Sequence, residues 1–460
     1  MRVDLAIIGA GPAGIAAATE ARAHGLSVLV LDENTAPGGR IWQAIEARAA
    51  KDDDDRAAQQ IVRAFRSSGA EARFGAVVWC VEPEGRVYWS EQGRARDAEA
   101  AGVLIATGAT ERPLPIPGWT LPGVMTVGAA QIALKTGGLV PDGDVWIAGQ
   151  GPLLLLYATQ ALAAGGRIAG VLDLADPRGR RRALAHLPGA LRAPSYLTRG
   201  LAWRLALRRA GVPWIRAADV RAEGEGRLER IRFVADGAVH TRPASMLLLH
   251  DGVIPSVQIT RALGCAHVWD EAQHCWRPAT DAWGRSSHAR IMIAGDGAGI
   301  GGAAVAQLSG RIAALGIAAA LGRLTEAARD GAAAPLVSER AKHLAVRPFL
   351  DALFAPLPVE PEDDTILCRC EEVTAGRVRE AVSLGCLGAN QLKSFTRAGM
   401  GPCQGRMCGP TVAAVIAAAR GVAVRDVEPY RLRFPTKPLT LGELAALHEQ
   451  PEAAEPHTSS

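Results

Sequence analysis

Four of the eight cysteines in this 460-residue chain fall in one short stretch, as Cys368-Arg369-Cys370 and then Cys403 and Cys408. The pattern is C-x-C followed by C-x4-C within a 41-residue window. Four thiolates brought together suit a [2Fe–2S] cluster or a zinc ion. Zinc sites more often use C-x2-C pairs, and this spacing departs from that. No C-x-x-C occurs anywhere, so no redox dithiol of that kind is available. Cys80 and Cys386 read as core residues. Cys265, His267, His274 and Cys275 can be drawn as a metal site, but their spacing fits no standard pattern, and we read them as structural.

A second constellation stands at the start of the chain. Gly9-Ala10-Gly11-Pro12-Ala13-Gly14 is G-x-G-x-x-G, preceded by the apolar run VDLAII and followed by an Ala-rich helix expected from about Pro12 to His24. The next strand, SVLVLDE, ends at Glu33, 19 positions after Gly14. That context turns a weak motif into a dinucleotide site. Gly9 permits the tight turn, Gly11 lets the backbone approach a pyrophosphate, and Gly14 lets helix and strand pack closely. The helix N-terminus offers free N–H groups to phosphate. Glu33 is the expected ribose acceptor, with Asp32 as its rival.

Two further strands run into similar turns. VLIATG ends in Thr107-Gly108, and IMIAGD ends in Asp296. With the first turn these resemble the two-dinucleotide-domain flavoproteins, such as thioredoxin reductase and glutathione reductase. The resemblance implies FAD, held by Gly9, Gly11, Pro12, Ala13, Gly14, Asp32 or Glu33, Gly39, Arg40, Thr107, Gly108 and Asp296. It gives Asp296 the ribityl chain and points the following helix at the isoalloxazine. Glu33 stands five residues before Gly38-Gly39, the usual separation in that superfamily. No cysteine lies in the PGGRIWQ segment beside the flavin, so a disulfide-reductase mechanism is not expected.

Such reductases bind NAD(P)H on a second turn. Here that turn is Gly149-Gln150-Gly151-Pro152-Leu153-Leu154. Leu154 occupies the third small position and crowds the helix–strand contact, while Pro152 removes an N–H from the first turn. Asp173, near the end of the following strand, remains a ribose candidate, so nicotinamide binding stays open. The basic run Arg178, Arg180, Arg181 and Arg182 reads as a solvated loop, and the KDDDD run at 51–55 as the flank of a solvated helix.

These elements imply two or three domains, as the length does. The expected fold is α/β: a two-dinucleotide-binding-domain flavoprotein with a small, mostly helical C-terminal module. Residues 1–115 and 285–330 are expected to form the FAD domain, 116–284 the second nucleotide-binding-like domain, 331–364 a linker, 365–450 the cysteine module and 451–460 a disordered tail. The net charge of +4 is small and does not argue for nucleic acid. No run of 18 apolar residues is present, so no membrane span is expected. No targeting segment is evident, and a cytoplasmic setting is expected, at most peripheral to the inner membrane through a complex.

The C-terminal strings CRCEEVTAGRVREAV and TRAGMGPCQGRMCGP resemble the [2Fe–2S] domain of bacterioferritin-associated ferredoxin. That implies Cys368, Cys370, Cys403 and Cys408 as cluster ligands rather than zinc ligands. With ERPLPIPGWTLPGVMTVGAAQ, LLLHDGVIPSVQITRALG, RPATDAWGRSS and AGDGAGIGGAAVAQLSGRIAAL, nearly the whole chain resembles the α subunits of heteromeric bacterial flavin dehydrogenases. The family includes the A subunit of opine oxidase, the B subunit of hydrogen cyanide synthase, and proline or hydroxyproline dehydrogenase α subunits. The resemblance implies an electron-transfer subunit that works with an amino-acid-oxidase-like β subunit, and in some members with a small ferredoxin-like one, to oxidise a CH–NH donor. It also leaves room for FMN or an adenine nucleotide at the second site or where subunits meet. No catalytic base is evident beside the flavin, and His250 reads as structural. The competing readings are a stand-alone NAD(P)H-dependent reductase and a cluster-carrying interaction module.

Overall fold

The computed structural model describes residues 1–447. The expected tail at 451–460, and the last three residues of the C-terminal module, lie outside the described residues.

The N-terminal strand Arg2–Ile8 is apolar and buried on both faces from Leu5 to Ile8, which suits a central parallel strand. It pairs with Val28–Asp32 on one side and Arg94–Ile105 on the other, both parallel. Ile291–Ile293 adds to the far side of Arg94–Ile105, and an antiparallel meander, Val77–Val81 with Arg86–Glu91, completes a seven-stranded sheet. The register decides where chemistry can occur. Ile8 stands opposite both Leu31 and Ile105, and Ile105 opposite Ile293. The turns after four parallel strands therefore emerge at one edge, the crevice in which open α/β sheets bind ligands.

Two helices cover one face of this sheet. Pro12–Ala23 and Ala303–Ala320 pack on each other through small residues, because a side chain at Gly310 would meet the Ala13 carbonyl oxygen at 2.1 Å. Ala303–Ala320 is, among the described helices, the one long and apolar enough to cross a membrane. Its residues Ile312 to Ala318 are buried in the protein core, so it serves as a core helix here.

The second unit is a five-stranded parallel sheet in the order Trp214–Arg216, Gly170–Asp173, Val145–Gln150, Met246–Asp251, Val124–Thr126. Helix Pro152–Ala163 follows Val145–Gln150, as read from the sequence. A short antiparallel pair, Ala109–Glu111 with Val253–Pro255, joins the two units.

The segment expected as a linker is largely helical. Glu326–Leu344 is one helix lying on Ala303–Ala320, and Arg347–Leu353 is another lying on Gly179–Leu184. Irregular chain runs from Phe354 to Asp364. The Pro-rich composition marked that irregular part, while the apolar contacts of Leu336 and Val346 extend ordered structure well before it.

The C-terminal module has its own core, including Leu367, Val378, Leu392, Val412 and Ile416. It is built from the small hairpin Ile366–Cys368 with Val373–Thr374 and helices Ala375–Ser383, Ala389–Thr396 and Gly409–Arg420. It docks on both larger units. Trp119 Nε1 donates to the Ile366 carbonyl at 2.7 Å, and Thr436 N donates to the Trp79 carbonyl at 2.9 Å.

Candidate functional site

The first glycine turn is shaped for a close-approaching ligand. Gly9 has φ +103, and a Cβ there would lie 2.5 Å from the Ala106 carbonyl oxygen. Gly38 and Gly39 fold back over it: Gly38 N donates to the Ala10 carbonyl, and a Cβ on Gly39 would lie 2.8 Å from Gly11 Cα. Helix Pro12–Ala23 begins at Gly11, and Ala303–Ala320 at Gly302, and neither is capped by a side chain. Their first-turn N–H groups are therefore offered to whatever anion enters the crevice.

The two acidic residues divide their roles. Asp32 is buried, accepts hydrogen bonds from Ala10 N and from Asn34 N (2.7 Å), and so braces the turn from beneath. Burial pushes its carboxyl up despite those donors. Glu33 is exposed at the strand end and pairs with Lys437 Nζ at 2.6 Å. Burial raises its carboxyl, but Lys437, Arg40 and Arg406 outweigh that and hold it below the ordinary glutamate range. Of the two acids Glu33 is thus the exposed one, and Asp32 is engaged beneath the turn. Glu33→Gln, which keeps the shape but loses the charge, is expected to weaken FAD binding about ten-fold, read by flavin fluorescence on dilution. An unchanged affinity would move the ribose contact elsewhere.

Thr107-Gly108 and Asp296 lie at the same sheet edge. Thr107 Oγ1 is 3.4 Å from the Ser256 carbonyl, and a Cβ on Gly297 would sit 3.7 Å from Thr107 Oγ1. Asp296 Oδ1 accepts from Gly301 N and Gly302 N, each at 2.9 Å, which fixes the carboxylate at the mouth of helix Ala303–Ala320. The bare glycines and uncapped first-turn N–H groups at this sheet edge fit a dinucleotide phosphate.

The second glycine turn is built differently. Leu154 is fully buried in the core beside Val145 and Ile147. Asp173 accepts from Ala175 N at 3.1 Å on one oxygen and from Trp214 Nε1 at 2.9 Å on the other. The turn is also covered by the chain itself. Gln150 Nε2 donates to Asp251 Oδ1 at 2.8 Å and to the Ala355 carbonyl at 2.6 Å, and Leu357 N donates to Asp251 at 3.3 Å. Arg112 Nε approaches Asp251 Oδ2 to 3.7 Å. Sequence reasoning missed this cover, because Gln150, Asp251 and Ala355 meet only after folding. His250 Nδ1 bonds Glu111 Oε1 at 2.8 Å and is buried.

The four cysteines are brought together in two pairs. Cys368 faces Cys408, and Cys370 faces Cys403. Cys368 ends a short strand, and Cys408 is the N-cap of helix Gly409–Arg420. A helix N-terminus favours a thiolate. Gly401 makes the approach possible, since a Cβ there would lie 2.2 Å from Cys370 Cβ. The hydrogen bond from Cys408 lowers the Cys368 thiol to about 5 against the effect of burial, aided by the N–H groups of Gly399, Glu371 and Cys370. The same bond and burial push Cys408 up. Among the described residues no three His, Cys, Asp or Glu side chains are gathered as for a single metal ion. A two-and-two thiol arrangement ringed with N–H donors fits a binuclear cluster, in which each iron takes two thiolates.

The other candidates stay apart. His267 bonds Thr260 Oγ1 at 3.0 Å and the Cys265 carbonyl at 2.7 Å, and burial lowers it to about 4. Burial pushes the Cys275 thiol up to about 11. Arg178, Arg180, Arg181 and Arg182 are exposed, and Asp52 caps helix Asp53–Ser67 by accepting from Asp55 N.

Comparison with known proteins agrees with this division. Residues 3–310 match the family model for pyridine nucleotide-disulphide oxidoreductase, and residues 366–418 match that for the BFD-like [2Fe-2S] binding domain. The A subunit of opine oxidase from Rhizobium meliloti (strain 1021) is 45% identical across 97% of this chain and 99% of its own length. The HcnB subunit of hydrogen cyanide synthase from Pseudomonas aeruginosa is 34% identical across 95% of this chain and 97% of its own. Among solved structures, L-proline dehydrogenase from P. horikoshii superposes with a TM-score of 0.72, covering 96% of this chain and 79% of that one at 20% identity. T. acidophilum thioredoxin reductase covers 70% of this chain and 99% of its own, with a TM-score of 0.51 at 19% identity. These likenesses show the fold. The chain is an oxidoreductase that carries FAD and a [2Fe–2S] cluster, and it belongs to the family of the opine oxidase A subunits.

Proposed function

We propose that this chain relays electrons for a partner subunit that oxidises a secondary amine of the opine or imino-acid type, and takes no electrons from NAD(P)H. FAD supplies two-electron acceptance, and the cluster supplies one-electron transfer. The chain's own residues do the holding. Gly9, Gly11 and Gly14 would shape the pyrophosphate turn, Glu33 would accept from the ribose, Asp296 would take the ribityl chain, and Cys368, Cys370, Cys403 and Cys408 would hold the cluster.

The observation that carries this reading is the contrast between the two glycine turns. Neither helix has a side-chain cap, but Gly9 and Gly11 are partly exposed at the sheet edge whereas Gly149, Gln150 and Gly151 are buried. The second turn is covered by Ala355–Leu357, and its acid Asp173 is tied to Trp214. A stand-alone NAD(P)H reductase would need the second turn free. The relatives support the relay reading, since each is named as one subunit of a larger enzyme. The chain forms a hetero-oligomer on that basis, and an amino-acid-oxidase-like β subunit in the cytoplasm is the partner we assign. A small ferredoxin-like subunit fits the same assembly. FMN or an adenine nucleotide held where subunits meet is compatible with the relay.

The test is co-purification with an amino-acid-oxidase-like subunit encoded beside it, followed by anaerobic addition of a secondary-amine amino acid such as octopine or L-proline. This chain's flavin and cluster are expected to be reduced only in the complex. Equal reduction of the lone chain by the amine would place the substrate site on this chain and end the relay reading.

A further inference from the structure

The geometry points to Tyr430 as a cluster-positioning residue: its ring braces the glycine-lined loop that carries Cys403 and Cys408, and its hydroxyl donates to the sulfur of Cys408, raising the cluster's reduction potential. Tyr430 lies beyond the 366–418 stretch that matches the BFD-like family, so the family match assigns it no part.

The ring is buried among glycines. A Cβ at Gly399 would lie 2.5 Å from the ring, one at Gly405 also 2.5 Å, and one at Gly409 3.6 Å. Gly399 and Gly405 both have positive φ, +83 and +77, in the turns that carry Cys403 and Cys408 toward Cys368 and Cys370. The backbone on either side of Tyr430 is pinned: Asn390 Nδ2 donates to the Pro429 carbonyl at 3.0 Å, and Arg431 N donates to Asn390 Oδ1 at 2.7 Å. The Lys393 ammonium lies 5.0 Å from the ring centroid. Tyr430 Oη is 4.0 Å from Cys408 Sγ.

A buried hydroxyl with a ligand sulfur as its neighbour is a donor to that sulfur once the thiol proton has been displaced by iron. Hydrogen bonds to cluster sulfurs stabilise the more negative, reduced state and so raise the potential. The Lys393 charge over the ring favours the same state. Past Tyr430 the chain continues to Pro435, whose carbonyl accepts from Gln404 Nε2 at 2.7 Å in the cluster loop, and to Lys437 on Glu33. The wedge is therefore anchored at both cofactor sites.

The experiment uses the full-length chain loaded with FAD and cluster. Tyr430→Phe keeps the ring and removes the hydroxyl. It is expected to retain iron and sulfide, leave FAD affinity unchanged and lower the cluster midpoint potential in a spectroelectrochemical titration. Tyr430→Leu removes the wedge as well and is expected to release iron to a chelator about ten-fold faster or more. An unchanged midpoint in Y430F, or wild-type iron release in Y430L, overturns the proposal. If Y430F does not load, wild-type protein with ring-deuterated tyrosine decides. The chain has four tyrosines, and Tyr430 is the one in the cluster module. A deuterium coupling to the reduced cluster is expected in electron–nuclear double resonance, and its absence overturns the proposal.

Discussion

Cys408→Ser is expected to abolish the [2Fe–2S] centre while leaving FAD in place. Cys408 is buried, caps helix Gly409–Arg420 and pairs with Cys368 across the two loops. A serine hydroxyl there is a poor iron ligand, and the remaining three thiols cannot complete two irons at two thiolates each. Because ligand binding and local folding are coupled, loss of the metal also loosens the loops. Iron and sulfide are expected to fall to background, and the reduced sample to lose its paramagnetic signal. The flavin spectrum should persist, since none of the crevice residues belongs to these loops. In the assembled complex, transfer to a one-electron acceptor is expected to drop on the order of 100-fold or more. Cys386→Ser is the matched control. Cys386 is equally buried, but its sulfur faces the Gly388 carbonyl at 3.4 Å and not the cysteine pairs. A C408S protein with full iron content would remove Cys408 from the ligand set.

The second large effect is at Gly14. A Cβ there would lie 1.8 Å from the Gly9 carbonyl oxygen and 3.3 Å from Ile7 Cγ2. No rotamer relieves this, because the clash is with backbone. Gly14→Ala must push helix Pro12–Ala23 off the strand, at a cost of about 3 kcal/mol. It also moves the first-turn N–H groups away from the pyrophosphate. The expected product is colourless protein with a lowered melting temperature, read by flavin absorbance and thermal unfolding. Gly200→Ala, in a surface helix with nothing within 4 Å of the added methyl, is expected to keep its FAD and gain about 0.5–1 kcal/mol. If G14A binds FAD normally, the crevice has been misassigned.

Much of this was readable in the sequence because it is local. The G-x-G-x-x-G turn, its helix and the acid 19 positions later are fixed by backbone geometry within one βαβ unit. The same holds for the cysteine spacing, C-x-C and then C-x4-C. Leu154 is expected from the sequence to crowd the helix–strand contact, and it lies buried in the core with Val145 and Ile147. What the residues could not disclose depends on distant segments meeting. Lys437 reaches Glu33 across 404 positions, and Gln150 reaches Ala355 across 205. Tyr430 stands in VEPYRLRF, a string with no motif, and its role is visible only through the glycines that surround it. The 331–364 segment shows a different limit: its charged, Ala-rich part is as compatible with a packed helix as with a connector, and contacts with Ala303–Ala320 decide for the helix.

The central claim is that electrons reach this chain from a partner and not from a nicotinamide bound at Gly149–Gly151. The direct test is an anaerobic titration of the FAD- and cluster-loaded chain with NADH and then NADPH, following the flavin band. The account predicts no bleaching at stoichiometric or several-fold excess nucleotide, with full bleaching on dithionite. Rapid bleaching by either nucleotide at stoichiometric amounts would contradict it, and would mean that the Ala355–Leu357 cover opens to a working second site.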